Sequence, residues 1–198
     1  LPDESTEQYF GVELEIGGHS STRYECAKQI RELNNSFFEC KSDSSVPADG
    51  FEIVSKPATY AFHYNNYWKD VCNISREHGF RSHNVSNCGL HIHVSRKSFE
   101  NDKTALVKLW SIFHNNEQWL TKFSRRDISD LRSWAKFKTD ADVAYLKKNG
   151  WEDDSSRYQA INNNPSYTIE FRLYRGTLKY NTFIATLQFT KWLCDYVN

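Results

Sequence analysis

The chain has 198 residues, with 25 Lys+Arg against 25 Asp+Glu and a pI near 7.2, a length suited to one domain. Zero net charge supplies no field to draw it to nucleic acid, and 15% aromatic residues exclude a disordered composition. No run approaches the ~18 consecutive apolar residues of a membrane span, and LPDESTEQYF lacks the basic and apolar regions of a signal peptide, so neither nucleic acid nor membrane is expected as a partner.

Taken in chain order, Phe10-Gly-Val-Glu-Leu-Glu-Ile16 alternates strictly, with Val12, Leu14 and Ile16 on one face and Glu13 and Glu15 on the other, which predicts a strand. Thr22 and Glu25 form a capping-box pattern, and Tyr24, Ala27, Ile30 and Leu33 recur at helical spacing, so a helix is expected to about Asn34. Phe51 to Ser55 reads as a second strand between the turn residues Pro47-Ala-Asp-Gly50 and Pro57, with Glu52 outward. From Thr59 to His78, the residues Ala61, Tyr64, Trp68, Val71 and Ile74 mark a second helix, with Gly79 as its left-handed cap. Alternation returns in Cys88-Gly-Leu-His-Ile-His-Val94, where Leu90, Ile92 and Val94 oppose His91 and His93.

Residues 102–123 carry Leu106, Leu109, Trp110, Phe113, Leu120 and Phe123 on one helical face, before the basic pair Arg125-Arg126. A loop from about Ser124 to Thr139 leads to a short helix from Thr139 to Lys148, with Asp142 completing its cap and Gly150 as its stop. In the last strand, Tyr167 to Tyr174, Ile169, Phe171 and Leu173 oppose Thr168, Glu170 and Arg172, and Asn181 is expected to cap a final helix through Cys194. Interspersed strands and helices without βαβ spacing indicate an α+β fold. No repeat or linker divides the chain, so one domain is expected over 1–198, with 1–8 a flexible tail.

Each strand alone fits a half-buried strand with a solvated charged face. Together their polar faces gather Glu13, Glu15, Glu52, His91, His93, Glu170 and Arg172, where solvent faces ordinarily mix Lys, Thr, Ser and Gln. Such a face carries strong mutual repulsion and calls for a cation. Carboxylates with one imidazole suit Mg²⁺ or Mn²⁺, whereas His91 and His93 with a carboxylate would make a zinc hydrolase site. Asp43 is equally explained by its turn. Arg125 and Arg126 suit either a solvated helix end or a phosphate clamp. Five cysteines without a CxxC pair do not make a disulfide framework, which favours a reducing, cytoplasmic setting. Cys88 shows no activating environment that would make it a nucleophile. Neither GxxxxGK[ST] nor GxGxxG occurs, so an ATP site here must rely on metals and arginines.

The segments FGVELE, DSSVPADGFEIVSKP, NCGLHIHV, RYQAIN and TIEFRLYRGTL, in that order, resemble the putative amidoligase family, which is similar to glutamine synthetase and glutamate-cysteine ligase. The resemblance runs from about Tyr9 to the last helix. It implies a curved antiparallel sheet with helices on its convex face. It also implies ATP with two or three Mg²⁺ or Mn²⁺ ions, and amide formation through an acyl phosphate. By the same resemblance Glu13, Glu15, Glu52, His91 and Glu170 are the metal ligands. His93, Asn162, Arg125 and Arg126 meet the nucleotide or its phosphates, Arg172 contacts transferred phosphate, and Arg157 lines the substrate side. The expected substrates are a small-molecule or peptide carboxylate and an amine acceptor, with the 124–139 loop, Trp134 included, as a cover. A chain without methionine is expected to be part of a longer polypeptide or to work with a protein partner. A non-catalytic binding module on the same fold is the alternative.

Overall fold

The computed structural model describes residues 8–18, 20–42, 46, 49–85, 87–99, 104–149 and 156–198. Asp43, Pro47, Gly150 and residues 1–7 of the expected tail lie outside the described residues. The fold is α+β, with a seven-stranded, antiparallel open sheet and, among the described residues, eight α-helices. The strands are β1 (Tyr9–Ile16), β2 (Phe38–Lys41), β3 (Phe51–Ser55), β4 (Ala58–Thr59), β5 (Gly89–Ser95), β6 (Ile161–Asn162) and β7 (Thr168–Arg175). Their order is β2-β3-β1-β5-β7-β6, with β4 also on β1.

The alternation read from sequence sets the two faces of this sheet. Phe10, Val12, Leu14, Ile16, Ile53, Leu90, Ile92, Val94, Ile169 and Phe171 are all buried in one hydrophobic cluster, shared with the helices. α1 (Arg23–Leu33) contributes Cys26 and Ile30, α3 (Trp68–Glu77) Trp68 and Val71, and α4 (Ala105–Asn115) Leu106, Leu109, Trp110 and Phe113. α8 (Tyr180–Val197) closes the cluster with Phe183, Leu187, Leu193 and Val197. The rings of Trp68 and Phe183 meet at 4.4 Å, tilted by 32°. Burying such side chains contributes about 1.5–3 kcal/mol each. The opposite face is therefore left to the polar residues.

β3 and β4 run along β1 as one interrupted path. Pro57 follows Lys56 at the interruption, and a proline has no N–H to give a ladder. There the Val12 N–H donates instead to the Ser55 hydroxyl, at 3.0 Å. β5 and β7 pair through a bulge, because Leu90 opposes Tyr174 while Ile92 opposes Phe171. Arg172 and Leu173 thus stand against the single residue His91, and bulges of this kind re-aim side chains beside sites.

Several helical expectations change in detail. The helix expected over 59–78 is two, α2 (Tyr60–Asn65) and α3, and the helix expected over 102–123 is α4 and α5 (Glu117–Ser124). Both breaks fall at an Asn-Asn pair. Asn65, Asn66 and Asn116 turn their amides back onto the carbonyls of Ala61, Phe62 and Ile112, the local bond by which asparagine competes with helical backbone. The break puts the two helices out of phase: ahead of it Ala61 and Tyr64 are exposed and His63 is buried, and beyond it Trp68 and Val71 are buried.

Thr22 does not cap α1 with its side chain, because its hydroxyl donates to the His78 carbonyl at 2.8 Å. Tyr24 is correspondingly exposed. The Thr139–Asp142 box does form, with the Thr139 N–H reaching Asp142 at 2.8 Å ahead of α7 (Asp140–Asn149). Lys179, not Asn181, is the N-cap of α8. Gly79 adopts the left-handed conformation expected of it, φ +81°.

Candidate active site

The polar face of β1, β3, β5 and β7 opens into a cavity of about 270 Å³. Glu13, Glu15, Glu52, His91, His93, Arg126, Arg157, Asn162, Glu170 and Arg172 all line it, as do Asn87, Trp134 and Tyr158. Of the candidate residues read from sequence, Arg125 is not brought there. It takes a left-handed cap position after α5 (φ 63°), and its guanidinium donates to Thr186 Oγ1 on α8 at 3.1 Å.

Sheet register explains the convergence. Glu13 lies across from His91, Glu15 directly across from Glu52, and His93 across from Glu170. Glu15, Glu52, His91 and Glu170 are all buried. Buried carboxylates this close need compensation, and part of it is visible. His93 Nε2 lies 3.2 Å from Glu13 Oε1, and His91 Nδ1 lies 3.5 Å from both Glu13 Oε2 and Glu170 Oε1. Burial raises the Glu13 pKa, but hydrogen bonds and charge from His91 and His93 outweigh it, so the carboxyl sits well below its ordinary range. For His93, burial works downward, and contact with Glu13 and Glu170 carries the pKa above the usual value.

Glu170 is gripped at both oxygens. Asn162 Nδ2 donates to Oε2 at 2.6 Å, and Arg172 Nη1 donates to Oε1 at 2.5 Å. Arg172 Nε is buried and has no hydrogen-bond partner among the described residues. A guanidinium is the group best shaped to meet carboxylate or phosphate oxygens. Glu15 Oε2 accepts the Gly89 N–H at 2.5 Å. Arg126 donates from Nη1 to the Arg172 carbonyl at 3.2 Å. Burial lowers its pKa, an effect that Glu15 and Asp130 oppose.

Gly89 has no room for a side chain. A Cβ there would lie 2.7 Å from Arg126 Nη2, 2.9 Å from His91 Nε2 and 3.2 Å from Glu15 Oε2. Gly89→Ala is accordingly expected to cost about 1–3 kcal/mol through overpacking and to weaken Mn²⁺ binding. A thermal melt and a Mn²⁺ titration check both, and an alanine variant equal to wild type in each would contradict this packing.

Two metal-sized groups are present among the described residues: Glu13 with Glu52 and His91, and Glu13 with His93 and Glu170, each with ligand atoms within 4.8 Å of one another. Glu13 belongs to both. Glu15 belongs to neither, and its carboxylate is engaged by Gly89.

The segment after α5 holds a helix, α6 (Ile128–Trp134), where a loop was expected. It brings Arg126 and Trp134 to the cavity. Tyr158 and Asn87 escape the sequence reading. Tyr158 stands between two expected residues in RYQAIN, while Asn87 reaches the cavity from a left-handed turn position, φ 66°. Cys88 has its thiol pKa pushed up to about 12 by burial, and all five cysteines are free.

Residues 22–150 match the family described as "putative amidoligase enzyme". The chain belongs to this family. The matched span covers well over half of the chain and holds Glu52, His91, His93 and Arg126. Glu13, Glu15, Glu170 and Arg172 lie outside it and join the same cavity through β1 and β7. No curated protein matches the chain. Among the described residues, no helix is long and apolar enough to cross a membrane.

Proposed function

We propose that this amidoligase-family chain joins a carboxylate to an amine at the expense of ATP, on a core like that of glutamine synthetase and glutamate-cysteine ligase. A carboxylate oxygen would attack the γ-phosphorus, breaking its bond to the bridging oxygen and releasing ADP, to give an acyl phosphate; the amine nitrogen would then attack the acyl carbon, expelling phosphate and giving up a proton, to form the amide. The observation that carries this reading is the pair of carboxylate–imidazole groups sharing Glu13, beside an Arg172 Nε that is buried without a hydrogen-bond partner among the described residues.

The donor set fits hard divalent ions. Each group offers two carboxylates and one imidazole, and neither unites His91 with His93, as a zinc hydrolase would need. Glu13, Glu52, His91, His93 and Glu170 would hold Mg²⁺ or Mn²⁺, and two or three bound ions would neutralise the triphosphate.

The protein's own groups have separate tasks. Asn162 and Arg172 fix the direction of the Glu170 carboxylate, and the Nε–H edge of Arg172 meets oxygens of the transferring group, where charge develops. Trp134 and Tyr158 wall the cavity and keep water from a reactive acyl phosphate. Beside Glu13 and His93 a second hollow of about 490 Å³ is lined by Tyr9, Gly11, Val54, Pro57 and Tyr167. Its apolar walls suit the nucleoside half of ATP. Arg126 and Arg157 line the cavity on the substrate side. The substrates would be a small or peptide carboxylate and an amine, handled in the cytoplasm, with a protein partner or further segment of the polypeptide supplying acceptor recognition.

Phosphate release from ATP across a panel of carboxylates and amines tests the proposal. Turnover is expected in wild type and should fall on the order of 10³-fold in Arg172→Ala. MgATP binding without phosphate release across the panel would favour the non-catalytic module instead.

A further inference from the structure

We propose that Tyr158 is a positioning residue whose ring sets the guanidinium of Arg172 for anion binding and ties it to the covering helix α6. The inference rests on the ligase reading above and extends it to a residue outside the metal cluster.

Among the described residues, the Arg172 guanidinium is hydrogen-bonded at one corner, where Nη1 donates to Glu170 at 2.5 Å. A single hydrogen bond leaves the plane of a guanidinium free to turn, so something else must aim its buried Nε–H. The ring of Tyr158 is within reach, with the Arg172 guanidinium carbon 5.9 Å from its centroid. That lies inside the range at which a cation is attracted to an aromatic face, and the attraction strengthens away from water. The Arg172 side chain is 14% exposed, so it is largely desolvated.

Tyr158 is itself fixed from several directions. Arg157 Nη2 donates to its hydroxyl at 2.9 Å, and the Arg157 guanidinium lies 4.9 Å from its ring. Trp134, at the end of α6, meets the ring edge-on at 5.4 Å and 80°. The backbone repeats the connection, because the Lys136 N–H donates to the Tyr158 carbonyl and the Ala160 N–H to the Lys136 carbonyl. The Arg172 N–H donates in turn to the Ala160 carbonyl at 2.9 Å. The cover, the aromatic ring and the anion-binding arginine therefore form one connected unit.

A ring that acts on Arg172 makes a prediction that a merely structural tyrosine does not. Tyr158→Leu is expected to weaken binding of MgATP and of inorganic tripolyphosphate about 10-fold. Tyr158→Phe, which keeps the ring and loses the hydroxyl, should stay within about 3-fold of wild type. In an Arg172→Lys background, the Tyr158→Leu change should cost less than about 2-fold, since coupled residues are not additive. Calorimetric titration of the five proteins (wild type, Tyr158→Leu, Tyr158→Phe, Arg172→Lys and the Arg172→Lys/Tyr158→Leu double variant), each first shown to be folded by its melting curve, reads these ratios. Tyr158→Leu binding both ligands as wild type does, Tyr158→Phe as weak as Tyr158→Leu, or a full 10-fold loss in the Arg172→Lys background would each overturn the inference while leaving the ligase reading intact. A folded wild type that binds neither ligand would overturn both.

Discussion

Glu13→Gln is expected to weaken Mn²⁺ binding on the order of 100-fold or more, because ligand-sphere changes of lesser severity already cost 10–100-fold. Glu13 belongs to both metal-sized groups, so one substitution removes a charged donor from each. The same change should leave the melting temperature of the metal-free protein within about 5 °C of wild type. Glutamine keeps the shape. The variant loses the attraction of His91 and His93, at 3.5 and 3.2 Å, and also loses the cost of keeping that carboxylate beside Glu170 and Glu52. Removing a partly buried charge gives back desolvation free energy as it gives up pairing. Calorimetry with Mn²⁺ and a melting curve separate the two quantities. A large drop in melting temperature with unchanged Mn²⁺ affinity would make Glu13 a structural residue.

The second large effect lies in the core, at His63. This side chain is fully buried, with Nε2 2.8 Å from the Phe10 carbonyl and Nδ1 accepting the Trp68 indole N–H at 2.9 Å. Those two partners demand a neutral ring that carries its proton on Nε2. Protonating Nδ1 would set one N–H against another. Burial lowers the His63 pKa to about 4, with the Phe10 carbonyl opposing the shift. Above pH ~6.5 the ring is neutral in both folded and unfolded chains, and stability is unaffected. As pH falls below that, the unfolded histidine takes up a proton that the folded one refuses, so stability is lost progressively until about pH 4. The loss from this group should reach roughly 2–3 kcal/mol by pH 4.5, or about 5–10 °C in melting temperature for a chain of this size. His63→Gln should start less stable at pH 7 and lose correspondingly less between pH 7 and 4.5. Equal losses in the two proteins would contradict this account of His63.

The strands were the most legible part of the molecule. Alternation in β1, β5 and β7 is set by burial on one face, and a slip of one residue would send Leu14 into the polar cavity and Glu13 into the core. The same periodicity put Glu13, Glu15, Glu52, His91, His93, Glu170 and Arg172 on one face, and register then brought them together. The helices were legible in composition but not in extent. Asn65-Asn66 and Asn115-Asn116 were the visible signal for both breaks, since an asparagine amide can replace a backbone donor at the preceding turn. β4 and β6 have two residues each, too short for any period to register.

Parts of the site were hidden for a similar reason. Arg125 and Arg126 are neighbours in sequence, yet the left-handed turn at Arg125 sends one guanidinium to α8 and the other to the cavity. Asn87 reaches the cavity from a turn and Tyr158 from a stretch outside any helix or strand, where no periodicity marks them. Glu15 looked equivalent to Glu13, but two residues further along β1 it accepts the Gly89 N–H and stands opposite Glu52. The capping pattern at Thr22 failed because the His78 carbonyl, brought close by tertiary packing, took its hydroxyl.

On the proposed function, this acidic and imidazole-lined face would hold ATP through divalent ions. Calorimetric titration of ATP into the protein, first with Mg²⁺ and then with EDTA, tests it most directly. Saturable binding that requires Mg²⁺ and is lost in Glu13→Gln is the predicted result. Absence of binding by folded wild-type protein, or binding of equal strength in EDTA or in Glu13→Gln, would contradict it.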